Sequence, residues 1–76
     1  MKHLSSAIQY LIQNRLINNL NVIDLSNMNI EKIDRIDSKI ASEIMELNIS
    51  YNKLNSLNGL EQFTSLVKLD VSFNNI

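Results

Sequence analysis

An eleven-residue pattern occurs three times in this chain, and it constrains the fold more than any other feature. In the last copy, Leu66-Val-Lys-Leu69-Asp-Val71-Ser72-Phe-Asn74-Asn-Ile76, apolar residues hold the first, fourth, sixth and eleventh places and asparagine the ninth. Twenty-two residues earlier, Ile44-Met-Glu-Leu47-Asn-Ile49-Ser50-Tyr-Asn52-Lys-Leu54 matches at every one of those places. A further 24 residues back lies Leu20-Asn-Val-Ile23-Asp-Leu25-Ser26-Asn-Met28-Asn-Ile30, in which Met28 replaces the asparagine. Serine holds the seventh place in all three. A recurrence at this spacing marks units that cannot bury an apolar face alone but can share one core when stacked.

Within each unit the residues around 22–25, 46–49 and 68–71 alternate apolar and polar, as half-buried strands do. Between the strands the apolar residues change to a three-residue spacing, Ile30, Ile33, Ile36 and then Leu54, Leu57, Leu60, Phe63. That spacing predicts turns and 3₁₀-like segments, whose side chains repeat every third residue. Gly59, the only glycine, follows Asn58 and is expected where the backbone needs a positive φ. The first unit is two residues longer than the second, and the excess falls in 37–43. Ile36, Ile40 and Ile44 there lie four apart, which reads as a short convex-side helix; ordinary loop variation is the preferred account of the extra length.

Ahead of the repeats, residues 6–18 read as an amphipathic helix. Leu4, Ala7, Ile8, Leu11 and Ile12 form one stripe, and Ser6 with Gln9 has capping-box spacing. Its polar face, with Gln9, Gln13, Asn14 and Arg15, carries too little positive charge to suggest a membrane surface. Covering the first strand is the expected role.

From Leu20 to Ile76, about three quarters of its length, the chain resembles the leucine-rich-repeat proteins of the short intracellular type. It is similar to the leucine-rich domains of ciliary and centrosomal proteins, and to leucine-rich spliceosomal and phosphatase-regulatory subunits. Those share an N-terminal helix or cap and the phrase Leu57-Asn58-Gly59-Leu60 after a strand. The resemblance implies an α/β solenoid with a short parallel sheet on its concave face and an N-terminal capping helix. Residues 1–19 would be the cap, and 20–76 about two and a half repeats, the last incomplete. It further implies a ladder in which Asn52 and Asn74 bond neighbouring loop backbone, ending at Met28.

Stacked in parallel register, Val22, Glu46 and Lys68 would form one outward row, Asp24, Asn48 and Asp70 the next, and Asn27, Tyr51 and Phe73 the third. Row neighbours would sit about 4.8 Å apart. Glu46 and Lys68 are expected to pair. The neighbouring Tyr51 and Phe73 make an apolar platform of the kind enriched among binding hot spots, or simply a mutual stack. Asp24, Asn27, Asn48, Tyr51, Lys68, Asp70 and Phe73 are therefore the candidate protein-binding residues.

Composition narrows the partners and the chemistry. There is no cysteine, and His3 is the only histidine, so disulfides, thiolate metal sites and a histidine-built zinc site are excluded. No cofactor or metal is expected. A net charge of −1, with seven basic residues scattered, makes nucleic acid and anionic membrane poor partners. No apolar run approaches the ~20 residues of a membrane span, and the first residues do not read as a signal peptide. A cytoplasmic setting is expected, with cytoskeletal, ciliary or nuclear variants of it open.

The sequence offers no nucleophile–base set and no phosphate-cradling glycine loop, so catalysis is not expected. The leading expectation is a module that binds a protein partner through its concave face. A second is a structural subunit, or a piece of a longer repeat array, that associates through an uncapped C-terminal strand edge, with itself included. A third and weaker one is a subunit of an RNA–protein particle.

Overall fold

The computed structural model describes residues 2–76. In chain order they form helix α1 (Leu4–Gln13), strand β1 (Val22–Asp24), helix α2 (Ser38–Glu43), strand β2 (Glu46–Asn48), a single 3₁₀ turn (Leu60–Gln62) and strand β3 (Lys68–Asp70). The strands make one parallel sheet in the order β1-β2-β3. Val22 lies beside Glu46 and Glu46 beside Lys68, while Asp24, Asn48 and Asp70 form the parallel row. The central residues Ile23 and Leu47 point the other way, into the core. A one-residue slip would turn them out to solvent, so burial fixes the register.

The solenoid expected from the repeats is not what forms. The chain is a small compact unit of two helices and a three-stranded parallel sheet, 29 × 25 × 18 Å in extent. The reason is dimensional. Three strands spaced about 4.8 Å apart advance only about 10 Å along the stacking direction. That is less than any dimension of the molecule, so no long axis develops. One core serves the whole chain instead. Leu4, Ala7, Ile8 and Leu11 of α1 belong to the same buried cluster as Ile23, Leu25, Ile30, Ile44, Leu47, Ile49, Leu54 and Phe63. Burying each large aliphatic contributes about 1.5–3 kcal/mol.

The linking segments depart from their predicted form in part. Among the described residues the Ile30-Ile33-Ile36 stretch carries no 3₁₀ turn, and only Leu60–Gln62 adopts one. The 37–43 segment does form a helix, α2, whose N-cap Asp37 accepts a hydrogen bond from the Lys39 N–H at 2.8 Å.

Helix α1 starts two residues before the sequence reading placed it and ends at Gln13. The Ser6–Gln9 pair does not cap it; His3 is the N-cap residue and its side chain caps nothing. The acceptor comes from far along the chain. Asp34 Oδ1 accepts from the Ser5 N–H at 2.9 Å, and Asp34 Oδ2 accepts from the Ser5 hydroxyl. Main-chain bonds fasten the same place: the Leu4 N–H donates to the Lys32 carbonyl at 3.0 Å, and the Glu31 N–H to the Lys2 carbonyl at 2.7 Å.

Partial burial pushes the Asp34 carboxyl up, but the Ser5 hydroxyl and N–H, its own N–H and the charge of His3 together bring it below the ordinary aspartate value. A carboxyl lowered on folding stabilises the fold above its unfolded pKa, and that contribution disappears as pH falls through the folded value. Asp34→Ala is expected to cost about 1 kcal/mol at neutral pH, the typical loss of a helix cap. Urea unfolding of the two proteins across a pH series should show this gap narrowing on the acid side of the aspartate range.

Candidate functional site

The sheet's outward face is built by one local device used three times. Asp24, Asn48 and Asp70 each turn their Oδ1 back onto the serine two residues on. That oxygen accepts from the N–H of Ser26, Ser50 or Ser72 at 2.9–3.0 Å and from its hydroxyl at 2.6–2.7 Å. These are Asx turns, in which a side chain stands in for a backbone turn. They explain why serine recurs in the seventh place of every repeat. The hydroxyls of Ser26, Ser50 and Ser72 each donate into these turns and so help position the face.

The turns throw the next residue into left-handed backbone. Asn27, Tyr51 and Phe73 have φ of 56°, 56° and 57°. Asparagine tolerates this region, whereas a residue with a bulky side chain gives up about 1–2 kcal/mol there. Tyr51 and Phe73 nevertheless occupy it. Their rings stack nearly parallel, 8° apart in plane with centroids 4.4 Å apart, an arrangement that returns about 0.5–1.5 kcal/mol beyond its buried area. Both stay open to solvent, Tyr51 at 53% and Phe73 at 68%. Asn27 continues the row without a ring, so the platform is two aromatics wide.

Beside the platform lies a shallow depression of about 320 Å³ along the strands. Asp24, Asn48, Asp70 and Lys68 line it, with Glu46 as a further wall. Lys68 Nζ and Glu46 Oε1 are 3.9 Å apart and exposed, which is worth at most ~1 kcal/mol. The Ser72 hydroxyl and then the Ser72 N–H hold the Asp70 carboxyl below its ordinary value, so it stays ionised in neutral and mildly acidic solution. The face presents three carboxylates against one ammonium.

The two structural asparagines lie behind this face. Asn52 is buried. Its Oδ1 accepts from the Met28 and Ile30 N–H groups at 3.0 Å each, and its Nδ2 donates to the carbonyls of Leu25, Ile49 and Ser50 at 2.9–3.1 Å. Asn74 repeats the arrangement half-buried, accepting from the Leu54 N–H at 2.9 Å and donating to Ile49, Val71 and Ser72. Together they tie each turn to its neighbour and keep the outward rows level.

A larger groove, of about 490 Å³, lies elsewhere, between the 31–35 and 55–62 segments. Its most converged polar group, the Gln62 amide, is spent on the fold. It accepts from the Ile36 N–H and donates to the Asp34 and Gly59 carbonyls at 2.8–2.9 Å. Among the described residues no group of three or more His, Cys, Asp or Glu side chains is placed to hold a metal ion, and no helix is long and apolar enough to cross a membrane.

The seven candidate residues, Asp24, Asn27, Asn48, Tyr51, Lys68, Asp70 and Phe73, lie together on this outward face, and the Asx turns that hold them there were not anticipated from the sequence. Their signal was present: an aspartate or asparagine two places before each repeat serine. No family model matches the chain, and neither the curated proteins nor the solved structures contain a match to it.

Proposed function

We propose that this chain is a protein–protein interaction module, related in kind to the leucine-rich-repeat proteins its repeats resemble, and that it binds its partner through the outward sheet face. The observation that carries this reading is the Tyr51–Phe73 stack. Two large aromatic rings stand exposed on strained backbone at adjacent positions. Strain retained at a surface is characteristic of functional positions, since packing alone would favour asparagine or glycine there. Aromatic pairs of this kind anchor interfaces.

The surrounding charge narrows the partner's chemistry. With Asp24, Glu46 and Asp70 opposed only by Lys68, the face suits a segment that carries a basic side chain beside an apolar one. The guanidinium of an arginine meets both demands, because it pairs with a carboxylate and stacks on a ring. No side chain on this face calls for catalysis, and the proposal is binding without reaction, in a cytoplasmic assembly.

The test is capture from lysate of the source cells with the wild-type module and with Tyr51→Ala/Phe73→Ala, followed by thermal melts of both. A protein of this chemistry should be retained by the wild type and lost from the folded variant. Equal retention by both would sink the reading.

A second reading has its own observation. Leu69 occupies the row of Ile23 and Leu47, yet it is 39% exposed where they are 1% and 2%. Among the described residues β3 pairs with β2, and this reading assigns its other edge to a strand of another copy. Under this reading the sedimentation coefficient rises with concentration, and Leu69→Asp abolishes the rise. A coefficient that does not vary with concentration would remove it.

A further inference from the structure

We propose that Asn58-Gly59 is a spontaneous modification site, where asparagine converts to aspartate or isoaspartate, and that the Glu61 carboxylate restrains the conversion. Of all the asparagines, only Asn58 is followed by glycine. The reaction begins when the Gly59 main-chain nitrogen attacks Cγ of Asn58, and a side chain on the attacking residue hinders that approach. The fold cannot supply one. A Cβ at position 59 would lie 2.3 Å from the Ile33 carbonyl oxygen and 2.9 Å from Ile33 Cγ2, on backbone with φ of +106°. Packing against Ile33 therefore forces glycine to follow Asn58.

The asparagine itself is unrestrained. Asn58 is exposed, and among the described residues its side chain makes no hydrogen bond. Its backbone N–H is held by Ser56 Oγ at 3.1 Å, which leaves the amide group free to turn.

The step balances without any redox partner. A bond forms between Gly59 N and Asn58 Cγ, the amide C–N bond breaks, and ammonia leaves with the proton that Gly59 gives up. Water then opens the cyclic imide at one carbonyl or the other. One opening yields aspartate. The other yields isoaspartate, which places an extra methylene in the main chain.

What restrains the step is the proton that must be lost. The Gly59 N–H donates to Glu61 Oε2 at 2.9 Å. An anionic acceptor stabilises the protonated nitrogen and opposes the negative charge that attack requires. Glu61 is well suited to this, since its own N–H and that of Gly59, with a smaller contribution from the charge of Arg35, hold its carboxyl below the ordinary value. Should the restraint fail, the lengthened isoaspartyl backbone no longer seats Gly59 against Ile33. The 3₁₀ turn and the Gln62 bridge to Asp34 then loosen together.

The experiment follows conversion at residue 58 by peptide mass mapping in mildly alkaline buffer, with isoaspartate told from aspartate by chromatographic retention. Wild type is compared folded and in urea, beside Glu61→Ala, Glu61→Gln and Asn58→Ser, each checked by its melt. The unfolded chain should convert fastest. Folded Glu61→Ala should convert on the order of tenfold faster than folded wild type, the factor expected from losing one charge-assisted hydrogen bond. Asn58→Ser should show no conversion in that peptide. If Glu61→Ala does not fold, Glu61→Gln carries the same comparison. Folded Glu61 variants converting at the wild-type rate would overturn the proposal, as would an unfolded chain that does not convert at 58.

Discussion

Asn52→Ala is expected to lower the stability of this chain by about 4 kcal/mol, because buried polar groups stripped of a partner cost about 1–3 kcal/mol each. The side chain serves five main-chain groups, and those of Leu25 and Ile30 belong to fully buried residues. Alanine satisfies none of them. At roughly 0.05–0.15 kcal/mol per residue, a chain of this length has about 4–11 kcal/mol in total. The variant should therefore be largely unfolded at moderate urea concentrations where wild type is native, as followed by far-ultraviolet circular dichroism. Asn74→Ala is the internal comparison. Its partners at Leu54 and Ile49 are buried, but those at Val71 and Ser72 lie at partly and fully exposed residues, and Asn74 is itself only half-buried, so a smaller loss of about 1–2 kcal/mol is expected.

Gly59→Ala is the second large effect, and its cause is steric rather than polar. The added Cβ meets backbone, the Ile33 carbonyl oxygen at 2.3 Å, which cannot rotate away as a side chain would. To that is added a φ of +106°, which L-residues avoid. A loss of about 3 kcal/mol follows from the two costs together. Asn58→Ala, one residue earlier and exposed, should change the melting temperature by little. Comparable losses at both positions would mean that the turn, and not the contact with Ile33, is what matters.

These two residues also show which parts of the fold could be read from the sequence. The 22-residue recurrence and the alternation at 22–25, 46–49 and 68–71 set the strand register, because a slipped register would expose Ile23 and Leu47. A positive φ at Gly59 was legible for a local reason, an Asn-Gly pair between apolar runs. The overall architecture was not legible in the same way. A repeat pattern says that units stack, whereas an elongated form depends on how far they stack relative to their own width, and three strands do not go far enough.

The start of α1 was hidden for a different reason. Its capping acceptor, Asp34, stands 29 residues away in sequence, while the local Ser6–Gln9 spacing pointed to the wrong turn. The candidate face was legible as three rows of residues, but its local supports were not. Each Asx turn uses one side-chain oxygen of Asp24, Asn48 or Asp70, so these residues are half committed to structure before any partner arrives. The left-handed backbone of Tyr51 and Phe73 follows those turns, and a reading of hydropathy has no access to it.

The most direct measurement is titration calorimetry of the captured partner against wild type and against Tyr51→Asn/Phe73→Asn. Asparagine is the residue the first repeat already places at this position, as Asn27 with φ of 56°, so the variant relieves backbone strain while removing both rings. If the aromatic platform is the binding surface, this variant keeps its fold and binds at least tenfold more weakly, as loss of a hot-spot pair requires. A folded variant that binds with wild-type affinity would show that the stack is a surface ornament of the sheet and that the partner, if there is one, docks elsewhere.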